Sequence, residues 1–180
     1  MDQKVKESEY DVKDQSPVNC WFSSYYVQDY DGNTQLHKFM LHTPIYDKLV
    51  EALVDATWPA SLLNTQNNYG VTVLHLAAKK GQSDIVRQLI VAGANPYARD
   101  SQGCIPLHYA CGFNNDKAIV PLTKAISDEE KTKMQSKQLT IPNLPESLYA
   151  RNFKDESPFH FVARFGYANI VKIFIENKLV

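Results

Sequence analysis

At 180 residues, with 44% hydrophobic and 22% charged content, the chain is long enough for one domain with a buried core and ordinary in globular composition. No apolar run approaches the roughly 18 residues of a membrane helix, and a net charge of −1 argues against broad nucleic-acid binding. The start, MDQKVKESEY, is too polar for a secretory signal, and three cysteines (Cys20, Cys104, Cys111) without metal-ligand spacing fit a reducing compartment.

Residues 1–28 form an acidic and aromatic N-terminal segment. Seven acids face three lysines across residues 1–31, which leaves the remainder with sixteen basic and thirteen acidic residues. This acidic end reads either as a solvated tail or as an attractor for a basic segment of a partner. The cluster Trp21, Phe22, Tyr25, Tyr26 and Tyr30 reads as a cap on the first helical unit, or as an exposed contact patch.

Residues 29–180 hold four helical units, at about 31–66, 69–101, 102–150 and 153–180. The first opens with Asp31-Gly32-Asn33-Thr34; its second helix is predicted over Tyr46 to Ala56, before a long connection from Trp58 to Asn64. In the second, Thr72 is placed to cap a helix over Val73 to Lys80, which Gly81 ends. Ser83 to Ala92 carries one apolar stripe, Ile85, Val86, Leu89 and Ile90, with Asp84 complementing the helix dipole. Gly93 ends that helix, and Gly103 is a turn residue. In the third unit the second helix, near Lys117 to Ile126, contains Pro121 and is predicted to be short or kinked. A polar, flexible-looking insert covers 127–145. The fourth unit runs from Ser157 to Glu176, and its Ile170, Val171, Ile173, Phe174 and Ile175 exceed what one stripe buries. An exposed apolar edge near 160–180 is therefore expected, covered by a partner or by another copy.

Each unit contains one version of the same phrase: Thr34-Gln35-Leu36-His37, Thr72-Val73-Leu74-His75, Ile105-Pro106-Leu107-His108 and Ser157-Pro158-Phe159-His160. The histidine intervals are 38, 33 and 52 residues. One is the ankyrin period of about 33, with its Thr-Pro-Leu-His-x-Ala signature, and the others are that period plus inserts. The fold class is thus all-α: an ankyrin-repeat solenoid of four helix-turn-helix repeats with projecting β-hairpin loops. Such repeats bury their stripes only by stacking, which spaces the histidines along a ladder. Zinc needs ligands converging on one ion, so no metal is expected. His108 and Cys111 lie one turn apart, but Cys111 reads as small apolar core. With no phosphate loop and no nucleophile elbow, no cofactor and no enzymatic activity are expected.

Two junctions carry a narrower resemblance. Leu62-Leu63-Asn64-Thr65-Gln66-Asn67-Asn68 leading to Leu74-His75-Leu76-Ala77, and Ala92-Gly93-Ala94-Asn95-Pro96-Tyr97-Ala98-Arg99-Asp100 leading to Leu107-His108-Tyr109-Ala110-Cys111, resemble inhibitor-of-κB proteins. The insert ending in Leu144-Pro145-Glu146-Ser147-Leu148-Tyr149-Ala150-Arg151-Asn152 resembles the Cactus-like insect branch. The resemblance spans about residues 29–176. The sequence shows no Asp-Ser-Gly-x-x-Ser phosphodegron and no acidic C-terminal tail, and with four repeats it also resembles the viral ankyrins of polydnaviruses.

What the resemblance implies is a constitutive inhibitor that binds a Rel/NF-κB dimer of a host, covers its basic localisation segment and blocks DNA binding. It also implies a cytoplasmic protein with nuclear access. The implied contacts are Asp29, Tyr30, Asp31 and Asn33 at the first finger, then Asn67, Tyr69, Ser101 and Gln102 at later tips. Direct nucleic-acid and membrane binding are not expected; self-association through the C-terminal repeat is a further expectation. The competing reading is an ankyrin adaptor with a non-Rel partner, recruiting a ubiquitin ligase or acting on host-cell survival.

Overall fold

The computed structural model describes residues 24–42, 47–57 and 59–177. The expectations for the acidic tail, for Trp21 and Phe22, for a helix start at Tyr46 and for Trp58 fall outside them. Four helix pairs stack in chain order: α1 (Gln35–His42) with α2 (Asp47–Ala56), α3 (Val73–Lys80) with α4 (Ser83–Val91), α5 (Pro106–Gly112) with α6 (Asp116–Thr123), and α8 (Pro158–Phe165) with α9 (Ala168–Glu176). Between α6 and α8 lies α7 (Asp128–Ser136). The first helices of the pairs line up as one layer and the second helices as another.

The repeat phrase builds each helix start in a way propensity alone does not reveal. Thr72 is extended (φ −98°, ψ 168°), and its N–H reaches His75 Nδ1 at 3.2 Å, with its Oγ1 at 2.9 Å from the same nitrogen. Accepting a backbone N–H leaves Nδ1 unprotonated and puts the ring proton on Nε2. That proton crosses to the next repeat: His75 Nε2 donates to the Cys104 carbonyl at 3.0 Å. His37 donates likewise to Val71 O at 3.0 Å and His108 to Glu156 O at 2.9 Å. Three histidines thus tie repeats 1–2, 2–3 and 3–4, a ladder and not a convergent centre.

Stacking buries one continuous core. Leu36, Leu74 and Leu107 from the inner layer and Val54, Ile90, Ile119 and Ile170 from the outer layer are buried. Cys111 is buried among them, and burial pushes its thiol pKa well up, which suits a small core residue and not a nucleophile. Gly81 ends α3 in the left-handed region (φ 69°), where a side chain would be strained. The helix expected to Ala92 stops at Val91, and the one expected over Lys117 to Ile126 is shifted and shorter, as Asp116–Thr123.

The insert departs most from expectation. Its first half is α7, started by a capping box: Ser127 N donates to Glu130 Oε2 at 2.8 Å, and Glu130 N lies 3.4 Å from Ser127 Oγ. Buried Met134 and Leu144 anchor it to the core. Arg87 on α4 clamps it, with Nε and Nη2 on the two oxygens of Glu130 at 2.7 and 2.6 Å. The same guanidinium donates to the carbonyls of Pro121, Lys124 and Ala125, satisfying orphan acceptors around the end of α6. Composition alone points to a flexible segment because α7 has almost no apolar stripe; its order comes from a cap and a bidentate ion pair.

Candidate partner-binding surface

The four fingers share one five-residue design. Its first residue is Asp29, Asn67, Asp100 or Asn152, and its side-chain Oδ1 accepts the N–H groups two and four residues later. For Asp29 these are Asp31 N at 3.0 Å and Asn33 N at 2.8 Å. Asn67 takes Tyr69 and Val71, Asp100 takes Gln102 and Cys104, and Asn152 takes Lys154 and Glu156. This is the Asx turn for which Asp and Asn are suited. A backbone pair closes each finger, such as Asp29 N to Asn33 O and Gly32 N to Asp29 O. The fourth residue is left-handed: Gly32, Gly70, Gly103 and then Asp155 (φ 61°). The fingers are hairpin turns and not the expected β-hairpins: among the described residues none forms a strand.

Adjacent tips are joined through the backbone. Asn68 N donates to Asp31 O, Ser101 N to Tyr69 O and Phe153 N to Gln102 O, at 2.9–3.0 Å. The sequence-predicted contacts therefore lie along one ridge, but in two roles. Asp29, Asn33 and Asn67 are tied up in the architecture: Asn67 Nδ2 donates to Asn33 Oδ1 at 3.0 Å, and Asp29 also pairs with Lys38 at 3.1 Å. The Asn33 N–H, with Lys38 alongside, holds the Asp29 carboxyl below the usual carboxylate range. Tyr30 (97% exposed), Asp31, Tyr69, Ser101 and Gln102 present open side chains to solvent.

Sequence reasoning missed several exposed apolar groups on the same structure. Phe153 occupies the finger position of Tyr30 and is exposed; aligning Asn152 with Asp29 would have found it. Phe113, at the end of α5, is also exposed, with Lys79 4.6 Å over its ring; Phe165, at the end of α8 and exposed too, falls within the apolar edge expected near 160–180. Together they give an acidic and aromatic first finger, followed by later repeats with aromatic and basic groups. No group of three or more His, Cys, Asp or Glu side chains able to hold a metal occurs among the described residues. No helix among them is long and apolar enough to cross a membrane.

Residues 53–110 match the model for ankyrin repeats (many copies). Human NF-kappa-B inhibitor alpha is 30% identical over 145 residues, covering 81% of this chain and 41% of that protein. The NF-kappa-B inhibitor cactus of Drosophila yakuba is 29% identical over 170 residues, 88% of this chain and 34% of that protein. Tyrosine-protein kinase Shark of Drosophila melanogaster is 26% identical over 163 residues, 90% of this chain but 15% of the kinase. The chain thus spans about two fifths or less of the length of these relatives. It is an all-α ankyrin-repeat protein, similar over most of its length to the NF-kappa-B inhibitors.

Proposed function

We propose that the chain binds a Rel/NF-κB protein along its finger ridge and inhibits it by occlusion, blocking DNA binding and nuclear import. The observation that carries this reading is the similarity to NF-kappa-B inhibitors across four fifths of the chain. The open side chains of the first finger agree with it: Tyr30 and Asp31 offer an aromatic and a carboxylate to a basic localisation segment. Such charges steer association and supply modest affinity where they stay exposed. Inhibition is constitutive in this reading, and its setting is the cytoplasm of a host cell whose immune signalling it suppresses. Self-association through the C-terminal repeat stands beside this reading, since the first finger lies at the opposite end of the stack.

The test is a pull-down of insect Rel-homology proteins with competition against κB-site DNA. Capture that displaces DNA and weakens several-fold with Asp31→Lys and Tyr30→Ala supports the inhibitor. Asp29→Asn separates charge from architecture, because Asn already fills that turn position at Asn67 and Asn152. A folded protein that captures no Rel dimer sinks the proposal. The adaptor reading then takes its place, favoured by the similarity of these repeats to the Shark kinase.

A further inference from the structure

Charge is sorted between the two helix layers. The inner helices α1, α3, α5 and α8 carry Lys38, Lys79, Lys80 and Arg164 and no carboxylate; every Asp and Glu of the four helix pairs lies on an outer helix. Lys79, Lys80 and Arg164 stand in the last turns of α3 and α8, where a cation complements the helix dipole. The dipole accounts for their place but not for their neighbours, which are aromatic.

Three positions of the repeat phrase make the open side of this layer. One residue after the histidine stand Leu76, Tyr109 and Phe161; four after it, Lys79, Gly112 and Arg164; five after it, Lys80 and Phe113. The rings form one strip across repeats 3 and 4. Tyr109 and Phe113 on α5 have centroids 6.1 Å apart, and Phe161 of α8 lies against Gly112, where a Cβ would come within 3.1 Å of it. Neighbours hold the rings: Tyr109 donates its hydroxyl to Asp100 Oδ2 at 2.8 Å, and His108 meets Phe161 edge-on with centroids 5.4 Å apart. Cations flank the strip, Lys79 4.6 Å from the Phe113 centroid and Arg164 5.7 Å from that of Phe161. Phe113 is still 52% exposed. Arg164 is paired with Glu156, whereas Lys79 and Lys80 are exposed and form no ion pair among the described residues.

We propose that the inner face of repeats 2–4 is a second binding surface, which takes an acidic segment of a partner protein with an apolar side chain among its carboxylates. The carboxylates go to Lys79 and Lys80, and the apolar side chain covers Phe113 beside Phe161, removing exposed apolar surface from water. Held rings in a fixed repeat register present this surface ready-made, so little ordering opposes binding. A nucleic-acid strand fits less well. It needs a run of free cations along its phosphates, and among the described residues of this face only Lys79 and Lys80 are free, in a chain of net charge −1. This inference stands apart from the Rel reading, since it uses neither Tyr30 nor Asp31.

The test is selection from a displayed library of random peptides on the immobilised full chain, with enriched sequences remade as labelled peptides and measured by fluorescence polarisation. The expected consensus is two or more carboxylates around an aromatic or aliphatic residue. Lys79→Glu with Lys80→Glu should weaken such a peptide about fivefold or more, and Phe113→Ala several-fold. All three side chains are exposed, so circular dichroism should stay unchanged. Asp31→Lys should leave the peptide bound, which separates this surface from the first finger. A basic or uncharged consensus, no enrichment, or binding unmoved by the lysine reversals overturns the proposal. Tighter binding of a labelled thymidine oligonucleotide or of a synthetic peptide of residues 1–23, lost in the same variants, also overturns it and assigns the face to nucleic acid or to the chain's own start.

Discussion

His75 and His108 are buried, and desolvation pulls both pKa values down to about 4; His37 is shifted the same way. Their neutral rings are what the ladder needs, because Nδ1 must accept while Nε2 donates. Below the ordinary histidine value of ~6.5 the unfolded chain takes up protons that these folded rings refuse until about pH 4. Stability is therefore full above about pH 6.5 and falls as pH drops from there toward 4. Urea midpoints measured from pH 7.5 to 5 should decline, and His108→Gln should flatten that decline while lowering the plateau; a pH-independent midpoint refutes the ladder's role. The finger residues make a second prediction. Asp29→Ala removes the acceptor of two backbone N–H groups and should lower the melting temperature clearly, whereas Asp29→Asn should nearly preserve it. The phrase ending in histidine was legible because it recurs four times, once at the bare ankyrin period and twice at that period plus an insert. Asp29's turn role was not, because its charge drew attention to partners, while the Asx function shows only when four fingers are superimposed.

At the level of elements, periodicity placed the helices that bury a stripe. Ile85, Val86, Leu89 and Ile90 announced α4, and Gly81 marked the end of α3 to the residue. What stayed hidden was α7, whose nine residues contain one buried apolar side chain, Met134. Its order depends on Arg87, more than forty residues away in sequence, and no local pattern reports such a contact. Glu130 shows how strongly the two are linked: the Arg87 guanidinium, foremost, and the Ser127 N–H hold its carboxyl down to about 2. Glu130→Ala removes both the far end of the capping box and the clamp. Arg87→Ala leaves the cap but strips several carbonyls of their donor. Hydrogen exchange by mass spectrometry should show 128–136 losing protection in Glu130→Ala while α3 and α5 keep theirs. In Arg87→Ala the loss should extend into the end of α6. Unchanged exchange in both variants would mean that Met134 and Leu144 alone hold the insert.

The whole molecule is a one-dimensional stack in which each repeat is supported by its neighbours, so the same substitution should have different consequences at different places. Ile119 on α6 and Ile170 on α9 occupy adjacent repeats on the outer layer, and both are fully buried. Truncating either to alanine costs roughly 2–5 kcal/mol of local packing. Repeat 3 has repeats on both sides: its loss removes the surface on which α4 rests and the finger carbonyl, Cys104 O, that His75 holds. Ile119→Ala should therefore lower the unfolding midpoint of the entire chain as one transition. Among the described residues, repeat 4 packs against repeat 3 alone, with a single histidine tie from His108. Ile170→Ala should release α8 and α9 first, seen as rapid exchange over 158–176 with 73–112 still protected. One shared transition for both variants would show instead that the stack folds as a single cooperative block, with the fourth repeat as firmly coupled as the third.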